Sequence, residues 1–144
     1  MATVFDVAKY ILEQLGAMST WKLQKLCYYA QAWELAWTNQ ALFSEDFEAW
    51  RNGPVCIPLF DAHIGRFTIG DMDLPYGDSA VLTPEQKDDI GIVLHDYGRL
   101  QPYELRELTH SEDPWINARG GLPDSENCET VIKKSDMAYY YGSL

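Results

Sequence analysis

The chain of 144 residues carries 22 acidic against 11 basic side chains, a net charge of −11, and is 47% hydrophobic and 13% aromatic. A chain of that size makes one domain that buries roughly two-thirds of the surface its unfolded form exposes, and its apolar content argues against disorder. The charge argues against nucleic acid, which needs a basic stripe, and against an anionic membrane surface; it leaves basic proteins as the favoured partners.

The acidic excess is uneven. Residues 1–53 carry four Lys/Arg against six Asp/Glu, and the remainder carries seven against 16. This surface serves solubility, or it docks a basic partner. No run of 18 apolar residues exists, which excludes a membrane-spanning helix on length. The start, MATVFDVAKY, has neither the basic beginning nor the apolar stretch of a signal peptide. Cys27, Cys56 and Cys128 are odd in number and lack CxxC spacing, which fits free thiols in a reducing cytoplasm.

In chain order, Thr3 with Asp6 three residues later predicts an N-cap, and Val4, Val7, Ala8, Ile11, Leu12 and Leu15 follow helical spacing up to Gly16. Ser19 or Thr20 is expected to cap a second helix running to about Trp37. Its apolar and aromatic residues cover more than one face, as in a helix touched on several sides. Lys22, Gln24, Lys25, Gln31 and Glu34 mark the polar face that remains. Phe47–Arg51 alternates apolar and polar, the pattern of a short strand. Asn52-Gly53 predicts a turn, with Pro54 opening a short helix that ends near His63.

Residues 65–82 lack periodicity and read as a surface loop with one short strand. Thr83-Pro84-Glu85-Gln86 supplies a cap, a first-turn proline and a glutamine at the third position, starting a helix to Gly98. Pro102 opens another helix ending at Thr109-His110, and Asp113-Pro114-Trp115 begins a brief one to Arg119, broken by Gly120-Gly121. Glu126–Lys134 fits strand or helix, and Ser135-Asp136 is expected to cap a last helix over Met137–Tyr141. The expected fold is mainly α: a single compact domain, residues 1–144, of about six helices around a central Trp/Tyr-rich helix, with a small β element.

Signals for chemistry are sparse. His63, His95 and His110 lie on different elements, and none has a second ligand at metal spacing. No phosphate-binding loop, nucleophile elbow or HExxH helix is present, so no cofactor, metal or catalytic residue is assigned. His110 beside Glu112 and Asp113 is the candidate for a small hydrolase or transferase, against the plainer role of ending its helix. Asp88 and Asp89 pair as acid–base candidates, against the plainer role of a solvated face. Trp and Tyr dominate binding hot spots. Five Trp and nine Tyr residues exceed what a small core needs, and Trp21 and the run Tyr139-Tyr140-Tyr141 fit no single buried stripe.

Three blocks carry a resemblance. Lys22-Leu23-Gln24-Lys25-Leu26-Cys27-Tyr28-Tyr29-Ala30-Gln31-Ala32-Trp33 is similar to a KLQKLLYYAQGW helix. Phe47–Val55, with Trp50, Gly53 and Pro54, is similar to an EAWRYGPV corner. Leu108–Trp115, with Thr109, His110 and Pro114, is similar to an LTHxExPW segment. Together they resemble the Panacea domain, with Cys27, Ala32 and Asn52 as departures. The resemblance implies a small helical antitoxin, bacterial or phage-borne, that neutralises a cognate protein toxin by direct binding. It also implies that one branch delivers its toxin to an AAA+ protease, and an anti-defence role on a mobile element is a related alternative. On this reading the motif residues are scaffold. Partner choice is expected in residues 65–82 and the acidic C-terminal third, with Trp21, Tyr76, Asp88, Asp89, Tyr139, Tyr140 and Tyr141 as candidates.

Overall fold

The computed structural model describes residues 1–144 and is built around one helix. That helix, α2 (Thr20–Thr38), is preceded by α1 (Val4–Leu15) and followed by the hairpin strands β2 (Glu48–Trp50) and β3 (Gly53–Val55). Next come α3 (Ile57–His63), α4 (Pro84–Tyr97), α5 (Pro102–His110), α6 (Asp113–Arg119) and α7 (Lys134–Gly142). A second pair, β1 (Met18–Ser19) with β4 (Thr68–Ile69), ties the loop after α3 back to the start of α2. Helices α7, α4 and α1 pack on α2 from different sides, so its apolar coverage all round becomes one continuous core.

Helix boundaries follow local chemistry. At α1, Thr3 and Asp6 form both halves of a capping box, and at α4 Thr83 and Gln86 do the same. The short aspartate side chain suffices at α1. There Asp6 also accepts the Asp78 N–H at 2.7 Å, tying the helix start to the long loop.

Two boundaries differ from expectation. Pro54 does not open a helix; it lies in β3 opposite Ala49, and α3 begins at Ile57 with Pro58 in its first turn. The hairpin needs the Gly53–Val55 segment extended to pair with Glu48–Trp50, which outweighs the preference of Pro54 for a helix start. Ser135 and Asp136 do not cap α7. The helix starts at Lys134, three residues before the expected Met137, behind Lys133 and with no side-chain cap. The ambiguous stretch before it runs extended beside β2: Ala49 N–H donates to the Thr130 carbonyl and Ile132 N–H to that of Phe47.

The polar positions of α2 bring the largest correction. Of the five read as its remaining polar face, Gln24, Lys25, Gln31 and Glu34 are buried and only Lys22 reaches solvent in part. The two glutamines, two turns apart, act as backbone clamps. Gln24 accepts the Cys56 N–H at 2.9 Å and donates to the Cys56 carbonyl at 3.2 Å. Gln31 accepts the Leu42 N–H at 2.8 Å and donates to the Phe43 carbonyl at 2.7 Å. Each gives a chain segment outside regular structure the pairing that a strand would supply.

Candidate functional site

The three sequence blocks converge on the turn between β2 and β3. Gly53 has φ of +109°, a conformation open to glycine, and its Cα faces the end of Lys25. A Cβ built there would lie 2.6 Å from Lys25 Cε and 3.2 Å from Thr109 Oγ1, so Gly53 is where α2, α5 and the hairpin meet. Thr109 turns its hydroxyl to the Arg106 carbonyl at 2.8 Å. Trp115 donates its indole N–H to the Trp50 carbonyl at 2.8 Å, fastening α6 to the hairpin. The Arg119 guanidinium lies 4.7 Å from the Trp115 ring centre and donates to the Ala49 and Pro123 carbonyls at 2.8 Å each, and to that of Glu126.

His110 stacks on Trp115 with ring centres 3.8 Å apart. Its Nδ1 is 3.8 Å from the Asp124 carboxylate, beyond hydrogen-bond reach, and its Nε2 is buried without a partner. Burial, helped by the positive charges of Arg106 and Lys25, brings its pKa down to about 4, so it is neutral at pH 7. Glu112 turns away from it. The Glu112 carboxylate, 6% exposed, accepts the hydroxyls of Tyr29 at 2.7 Å and Tyr141 at 2.8 Å, and Tyr141 in turn meets Tyr28 at 3.2 Å. Asp113 is exposed at the start of α6. The His110–Glu112/Asp113 constellation is therefore not assembled as a hydrogen-bonded unit.

Tyr28 and Tyr29 are core residues, and so is Tyr141: its ring packs against both and against Trp33, which takes it out of the candidate surface. Helix α7 turns one of its three consecutive tyrosines inward, leaving Tyr140 half-buried and Tyr139 exposed. Tyr76 is exposed and rests edge-on against Phe5. Asp88 faces solvent from α4, while Asp89 is half-buried beside Glu34.

Trp21 lies elsewhere, at the meeting point of three depressions. One of about 230 Å³ is bounded by Trp21, Lys25, Asn52, Pro102, Tyr103 and Arg106. A second of about 410 Å³ runs from Trp21 over Trp50, Asn52 and Phe60. A third of about 180 Å³ continues over Phe60 and Ile64 to Phe67. Phe60 borders the second and third, 6.5 Å from Trp21 and 5.1 Å from Trp50 between ring centres. Phe67 is 88% exposed, and Ile64 and Tyr103 are exposed too, at 66% and 68%, so a grooved aromatic surface crosses the start of α2. The expectation that the motif is all scaffold needs dividing. Leu23, Gln24, Gly53, Pro54, Pro114 and Trp115 are buried, while Lys25 and Trp50 border the depressions. Ile64, Phe67 and Tyr103 were not singled out from sequence; their signal was a large apolar or aromatic residue beside glycine, proline or arginine in a polar stretch.

The sequence profile described as antitoxin SocA-like, Panacea domain, matches residues 23–116, which hold all three converging blocks nearly in full. The chain belongs to this family. No curated protein and no solved structure matches it. In this Panacea domain the matched region runs from Leu23 in α2 to Ile116 in α6, so it contains the hairpin together with Lys25 and Arg106. Trp21 lies just before it, and α1 and α7 fall outside. No helix is long and apolar enough to cross a membrane.

Proposed function

We propose that this Panacea domain is an antitoxin that neutralises a cognate protein toxin in the cytoplasm by holding it in a stoichiometric, non-catalytic complex. Membership of the SocA-like antitoxin family carries the reading. The grooved surface around Trp21 supports it, because half-buried Trp beside exposed Tyr and Phe, bordered by Arg, are the residue types that anchor protein interfaces. The net charge of −11 favours a basic toxin by drawing it in at long range.

The test is co-expression with the product of the neighbouring reading frame. Restored growth together with a complex of fixed stoichiometry in light scattering supports neutralisation by binding. Absence of both contradicts it. Rescue by a small molar amount of the domain, with no complex, points instead to catalysis. Partner levels that fall only when the cell's AAA+ proteases are active would assign delivery for degradation in place of simple holding.

A further inference from the structure

Lys25 is an unusual residue to find 1% exposed in a core. Its ammonium lies 5.0 Å over the Trp21 ring, and it bonds to no carboxylate, carbonyl or hydroxyl of the chain. The charged group nearest in effect is Arg106, which carries the same sign. Burial first and Arg106 second bring the Lys25 pKa down to about 7. A buried ammonium without a counter-charge is costly, and a methionine of similar volume would fill the site without that penalty.

Lys25 and Arg106 both border the cavity of about 230 Å³. Arg106 gives one guanidinium nitrogen to Glu107 at 2.9 Å on the outer side and retains further donors. Asn52 adds an amide at the rim, and Trp21 and Tyr103 provide flat walls. Lys25 and Arg106 face one opening with no acid of the chain between them; an anionic group there meets the Arg106 charge and favours the protonated form of Lys25, so the pair is complementary to a single anion.

We propose that the cavity between Trp21 and Tyr103 is an oxyanion-binding site, in which Lys25 and Arg106 together take one carboxylate or phosphate group. The site is cationic in a chain of net −11, so it selects a feature that the rest of the surface repels. The oxyanion has two possible sources, an acidic side chain presented by a protein or a free phosphorylated small molecule. The site stands independently of the antitoxin reading.

The test uses the intact chain and two probes, inorganic phosphate and N-acetyl-aspartate amide, followed by amide and indole NMR shifts. Saturable shifts at Asn52, Gly53 and the Trp21 indole are expected. Binding should weaken about tenfold in Lys25→Met and in Arg106→Gln, the scale of losing a charged hydrogen bond. Arg99→Gln removes an exposed positive charge that does not line the cavity and should leave binding unchanged. Tighter binding of the aspartate derivative assigns a protein carboxylate as the source, and tighter binding of phosphate assigns a phosphorylated small molecule. Failure of both probes to saturate overturns the proposal, as does equal binding by wild type and a folded Lys25→Met. Equal weakening in Arg99→Gln does so too, since it would mean diffuse charge attraction.

Discussion

Glu34 is 6% exposed where α2 meets α4, and its Oε1 has no hydrogen-bond partner. Burial, followed by the adjoining Asp89 carboxyl, raises its pKa from the ordinary 4.5 to about 7. The sign follows directly. A carboxyl whose folded pKa is raised contributes fully below its unfolded pKa of 4.5, and that contribution is lost as pH rises through about 7. Glu34→Gln, which cannot ionise, is therefore expected to raise the thermal midpoint near pH 8 by a few degrees, the scale of about 1 kcal/mol in a domain of this size. At about pH 4, where the native carboxyl is already neutral, the gain should vanish. Thermal melts at the two pH values check this, and an equal gain at both would contradict it. His110 shifts the other way. Its lowered pKa means that stability is lost as pH falls from 6.5 toward about 4, because the unfolded chain takes up the proton first.

At the scale of elements, α2 organises the fold through its buried polar groups as much as through its apolar ones. Gln31 holds the Leu42 N–H in a segment with no regular structure, where Leu42 and Phe43 are fully buried. Gln31→Leu keeps the volume and leaves that N–H unpaired, for an expected loss of about 2 kcal/mol. Urea unfolding reads this as a lower midpoint at unchanged slope, and an unchanged midpoint would contradict the clamp.

The same contrast explains what was legible in sequence. Helices α1 and α4 were readable because their caps and apolar spacing lie within a few residues of one another. The hairpin strand β2 was readable from alternation, and the turn from Asn52-Gly53. The partners of Gln24, Gln31 and Glu112 lie in other segments, and spacing along a chain carries no information about them. Glu112 meets Tyr29 across 83 positions, which sets a buried carboxylate where sequence suggested an acid near a histidine. Tyr141 was misplaced for a related reason: three consecutive tyrosines show no period, so only the packing of α7 on α2 selects the one that turns inward.

For the molecule as a whole, acidic charge is spread over α4 and the C-terminal segments, while the aromatic grooves gather at the start of α2 and the hairpin. Diffuse charge steers an approaching basic partner, and a concentrated aromatic patch holds it. For the proposed basic partner, this division would assign affinity to Trp21 and its neighbours and on-rate to the acidic surface. Trp21 is only partly buried, so its replacement perturbs the core less than that of Trp115. The direct measurement is the affinity of purified Trp21→Asp for the toxin proposed as its partner, with folding verified by its thermal melt. The folded variant is expected to bind at least about tenfold more weakly, the scale of one lost aromatic anchor, and to fail to restore growth. A folded Trp21→Asp that binds and protects as well as wild type would contradict it.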